Sequence, residues 1–195
     1  MIFEGSVGKL VQLVSGALAV GKVQADLFDA SKKRRLFSAY TAVSGVAPGT
    51  ALGTTAAFAL ANPYDSGVDL VVHEGSVGYL SGTLGAGFIA YGSCGFSLTA
   101  VTGTAIVARP GLVGGGPGRG KAFTTATVAT PEIVRILANL QASLATSVTP
   151  PWAITDKVDG AIVIPPGCAV ALEGVSAAGS TPLVILGMTW EEIAA

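Results

Sequence analysis

The chain has 195 residues, 50% of them hydrophobic and only 12% charged, with a formal net charge of −1. That length suits one well-buried domain and leaves little for a second, and the near-neutral charge gives no global attraction to nucleic acid or to an acidic membrane surface. Mean hydropathy is +0.64, yet no uncharged apolar run reaches the roughly 18 residues of a spanning helix, and 7% aromatic residues is thin for the girdles of a membrane barrel.

In chain order, Met1-Ile2-Phe3-Glu4 opens without a basic region followed by an apolar one. A secretory signal is therefore not expected, and synthesis in a cytoplasm, including that of an infected host, is. The apolar stretch 7–23 is interrupted by Lys9, Gln12 and Lys22. Residues 20–28 alternate loosely and lead to Asp29-Ala30-Ser31-Lys32-Lys33, after which Leu36, Phe37, Tyr40 and Val43 resume the pattern. This predicts a hairpin with a charged tip. A strand is predicted over 51–60, stopped by Asn62-Pro63-Tyr64-Asp65-Ser66-Gly67, a dense run of turn formers. Residues 68–73 are β-branched and extended. The glycine-rich stretch 75–95 predicts short strands broken by bulges. Further strands are expected over 96–108 and 123–129, with Gly114-Gly115-Gly116-Pro117-Gly118 as a loop between them.

Residues 131–145 fit two periods. Ile133, Ile136, Leu137, Leu140 and Leu144 make a helical stripe, whereas Val134, Ile136, Ala138, Leu140, Ala142 and Leu144 alternate as a strand does. The surroundings favour strand. Near the end, Asp159-Gly160 and Pro165-Pro166-Gly167 turn the chain, 174–181 is a loop, and 183–190 is a last strand before Glu191-Glu192. The sum is an all-β jelly roll or β-sandwich of roughly ten antiparallel strands. It has at most one short helix, near 131–145, and 1–195 is a single domain.

A monomer so poor in charge would show large apolar patches to water. Burial between subunits removes them, so self-association is expected. The chemistry-bearing residues do not converge. Cys94 and Cys168 are too far apart for a metal motif and read as small hydrophobes. His73 is the only histidine, and a triad would have to enlist Asp65 or Asp69 and Ser66 or Ser76, with no nucleophile elbow in view. Gly115 to Lys121 has the spacing of a phosphate loop, but Ala122 stands where Ser or Thr should hold magnesium. The close pairs Asp26 with Asp29 and Asp156 with Asp159 read as turn formers rather than calcium ligands. No enzyme, cofactor or metal is expected.

The segment Asp159-Gly160-Ala161-Ile162-Val163-Ile164-Pro165-Pro166-Gly167-Cys168-Ala169-Val170-Ala171-Leu172 resembles the Pro-Gly corner of trimeric jelly rolls. Such corners occur in tumour-necrosis-factor-like domains and in bacteriophage decoration proteins, and the final strand with Glu191-Glu192 resembles the end of those phage proteins. The resemblance implies a homotrimer attached to a virus shell or tail, with a major capsid or other virion protein as partner. The expected function is therefore a virion decoration or cement protein, with no membrane and no specific nucleic acid. The alternative is a lectin-like module on a tail tip that grips host glycans through surface aromatics such as Trp152, Tyr64, Tyr79 and Tyr91. Lys32, Lys33, Arg34, Arg35, Arg119, Lys121 and Trp152 are the expected partner contacts.

Overall fold

A computed structural model describes residues 2–5, 9–14, 17–20, 26–95, 101–140, 153–176 and 179–195, with residues 2–20, 26 and 176 described by backbone alone. β1 (Ile2–Gly5), β2 (Lys9–Val14) and β3 (Ala17–Val20) pair in that order as a separate antiparallel sheet. The helix α1 (Asp26–Lys32) follows, then β4 (Leu36–Tyr40), β5 (Thr55–Ala61), β6 (Val68–Thr83) and β7 (Gly87–Cys94). β8 (Thr102–Ile106), β9 (Arg109–Pro110) and β10 (Lys121–Thr127) lead to β11 (Glu132–Leu140), β12 (Ala153–Ile164), β13 (Ala169–Ser176) and β14 (Ser180–Ala194).

The described residues of the body form an all-β sandwich. A six-stranded sheet has the order β11-β7-β13-β5-β10-β8 and a five-stranded sheet the order β12-β6-β14-β4-β9. Without β8, β9 and β10, the orders are β11-β7-β13-β5 and β12-β6-β14-β4, the double Greek-key arrangement of a jelly roll. The inserted β8 and β10 extend one sheet beyond β5, while β9 extends the other beyond β4.

Side-chain alternation explains why the sheets stack. Along β14, Val184, Leu186, Met188 and Trp190 are buried and meet Leu70, Val72 and Val77 of β6 in one core. Phe58, Leu60, Tyr91, Val170 and Leu172 of the other sheet face them in the same core. Trp190 stacks on Phe37 with centroids 6.1 Å apart. A bulge at Thr189/Trp190 leaves His73 unpaired in the β6–β14 register. The buried positions of β6 accordingly shift from Val68, Leu70 and Val72 to Gly75 and Val77.

The six-stranded sheet also has a second buried face. Ala59, Ala61, Ala169, Ala171 and Cys94 form its small-residue layer. The connection from β4 to β5 straps part of it: Gly174 N donates to Pro48 O at 2.6 Å, and Gly53 N to Glu173 Oε2 at 2.8 Å. Part of the alanine expected between subunits is thus buried within the chain.

Glu173 is 1% exposed and its Oε1 accepts no hydrogen bond. Burial raises its pKa above the ordinary carboxylate value, partly offset by the Gly53 amide. A raised carboxyl pKa means that stability is greatest below the unfolded value and falls as pH rises through the folded one. Glu173→Gln cannot ionise. Its melting temperature relative to wild type should therefore climb between pH 4 and pH 8, and an offset independent of pH would show that the carboxylate is not penalised.

Three expectations are corrected. The predicted hairpin over 20–43 is instead the helix Asp26–Lys32 followed by a strand that pairs with β14 and β9. Asp29 and Lys33, 2.7 Å apart, support it at i,i+4, and Arg34 closes it in the left-handed region at φ 59°. The short helix is therefore not near 131–145, where Glu132–Leu140 is strand and the following residues lie outside those described. Residues 75–83 continue the sixteen-residue β6 rather than breaking it, and Asp159-Gly160 is a bulge inside β12 rather than a turn between strands.

Candidate functional site

The sandwich leaves two edge strands, β11 and β12, together on one side. A strand packed on a core should bury alternate residues. The first five of β11 do not: Glu132 to Ile136 are all exposed, and burial begins at Leu137. Ile133 is 49%, Val134 51% and Ile136 50% exposed, and Val163 of β12 is 50% exposed beside them. Register shifts at Ile133/Arg135 and Ile136/Ala138 lift this half of the strand off regular pairing with β7. A shallow groove of about 250 Å³, lined by Val134, Ile162, Val163, Pro165 and Val170 among others, runs between the two strands.

The charge in this surface is already neutralised. Arg135 donates to Asp156 through Nε at 2.7 Å and Nη2 at 2.8 Å, and through Nη2 to Lys157 O at 3.2 Å. The fork ties the two edges across the sandwich and presents a closed ion pair amid aliphatic side chains. Neighbouring Tyr91 is buried under this edge; burial and then Asp156 raise its pKa above the ordinary phenol value. The arrangement suits an apolar, water-excluding contact.

The sequence-predicted contact residues lie elsewhere and are not gathered into one site. Lys32, Lys33 and Arg34 are exposed at the end of α1, where Lys32 lies 5.6 Å from the Phe28 ring centre and Lys33 pairs with Asp29. Arg35 is held by Glu191 at 2.8 Å. Arg119 donates to the Ser66 carbonyl. Lys121 opens β10 and is exposed. Trp152 lies outside the described residues.

The other candidates are absorbed by the fold. The phosphate-loop-like segment gives its amides to protein: Arg119 N and Gly120 N donate to Glu192 Oε1 at 2.7 and 2.8 Å. A strand, not a helix, follows it. His73 faces Glu191 at 3.4 Å rather than Asp65, Asp69, Ser66 or Ser76. Cys94 and Cys168 are free thiols; burial, then Glu173 and Cys168, push the Cys94 thiol up to about 11, far from a reactive thiolate. Among the described residues no three of His, Cys, Asp and Glu gather as metal ligands, and no helix is long and apolar enough to cross a membrane.

Sequence reasoning missed the edge because it sought charged and aromatic contacts. The clue was the double fit of 131–145, since apolar residues on both faces of a strand satisfy either period. No protein-family model, no curated protein and no solved structure matches this chain.

Proposed function

We propose that this chain is a self-associating structural protein of a virus particle, a homotrimeric jelly roll that decorates or cements a phage shell. The observation that carries self-association is the apolar edge of Ile133, Val134, Ile136 and Val163, about half exposed on strands with no further partner in their sheets. Open apolar edges invite pairing with another chain. Each of these side chains has on the order of 1 kcal/mol of burial still to gain, and a subunit contact would recover it. The Pro-Gly corner shared with trimeric jelly rolls supports the order of three, and the poverty of charge supports an assembly over a free monomer. In such a particle the exposed Lys32, Lys33 and Arg34 would face the underlying lattice, and many weak contacts would sum to firm attachment.

The test is the double variant Ile133→Lys/Ile136→Lys, followed by sedimentation velocity. Both positions are half exposed, so the melting temperature of the separated subunit should stay close to the wild-type value. The assembled species should give way to monomer over a concentration range in which wild type stays associated. An assembly unchanged by the two lysines would mean that the edge is not the contact.

A further inference from the structure

A trough of about 650 Å³ lies over the outward face of the six-stranded sheet, within the size range of small-ligand sites. Buried Ala61, Cys94 and Ala169 contribute its floor, and Phe123 and Val128 are among its walls. Small floor residues leave the space open where bulkier ones would fill it.

Three polar groups in the lining point to a ligand. Asn62 is 2% exposed; its Nδ2 donates to Val68 O at 2.6 Å and Ile164 O at 2.8 Å, while its buried Oδ1 accepts no hydrogen bond. A buried polar atom without a partner is costly unless something else satisfies it. Asp65 and Lys121 are exposed lining residues, and among the described residues neither is in an ion pair. An anion would be repelled by Asp65 and the Asn62 carbonyl, and a cation by Lys121. A wholly apolar molecule would leave Asn62 Oδ1 without a donor. A neutral ring with hydroxyls that both donate and accept, and with apolar C–H faces, satisfies all three groups and packs on Phe123.

We propose that this trough binds a saccharide, with Asn62 Oδ1 and Asp65 accepting from sugar hydroxyls, Lys121 donating to one, and Phe123 against the C–H face. The proposal is independent of the edge contact. It is tested by saturation-transfer NMR on the intact chain with the methyl glycosides of glucose, galactose and N-acetylglucosamine, and with octanoate as an apolar acid. At least one glycoside should bind saturably, at about millimolar affinity for a single ring. Asp65→Ala and Lys121→Ala should each weaken it by about tenfold or more, with melting temperatures unchanged because both residues are exposed. The proposal is overturned if no glycoside binds, if binding ignores both substitutions, or if octanoate alone binds and depends on Lys121 but not on Asp65.

Discussion

Gly75→Ala is expected to destabilise the sandwich by about 3 kcal/mol, the upper part of the range for overpacking a dense core. Gly75 lies in β6, where the fully buried Tyr91 of the opposite sheet reaches across the core to it. A Cβ there would overlap the Tyr91 hydroxyl outright and come within 2.7 Å of Cζ and 2.9 Å of Cε1. The ring has little room to retreat, because its strand is paired on both sides by β11 and β13. For a chain of this length the melting temperature should fall by roughly 6–12 °C. Tyr91→Phe removes the atom of worst overlap, and Tyr91 Oη accepts or donates no hydrogen bond whose loss would count against it. The double variant should therefore recover part of the loss, a coupling of about 1 kcal/mol or more. Additive effects would mean that the two residues do not meet.

Asn62→Ala should cost about 2–4 kcal/mol, read from urea unfolding. Its amide nitrogen joins the end of β5 to the start of β6 through Val68 O and to the end of β12 through Ile164 O. Its backbone closes the Pro165 corner, donating to Cys168 O at 2.9 Å and accepting from Gly167 N at 2.9 Å. Alanine would keep the backbone bonds and strand two buried carbonyls. Asn62→Asp should fare no better, since an ionised carboxylate cannot donate to either carbonyl. An aspartate variant as stable as wild type would contradict this account of the corner.

The class of fold was legible because turn residues fall where sheets change. Asn62 to Gly67 and Pro165 to Gly167 mark true corners, and the alternation of Val184, Leu186 and Met188 marks a strand facing the core. Strand lengths were not legible. Glycine was read as punctuation, but Gly75 makes room for Tyr91, and Gly187 lets Tyr40 lie across its strand, with Cγ 2.8 Å from where a Cβ would stand. Such demands come from a partner distant in sequence. The helix Asp26–Lys32 was hidden because Leu27 and Phe28, both partly exposed, imitate alternation in so short a stretch. The basic run was visible as charge, but its pairing with Asp29 and Glu191 depends on the helix and on β14. The edge was the least legible, since nothing in a sequence without relatives says which strand lacks a neighbour.

The central claim, self-association through that edge, is tested most directly by the molar mass of the dilute wild-type protein, measured by light scattering after size-exclusion chromatography. The account predicts a stable species of three times 19.3 kDa. A clean monomer of 19.3 kDa would contradict it, leaving the apolar strip from Ile133 to Ile136 without the subunit contact proposed for it.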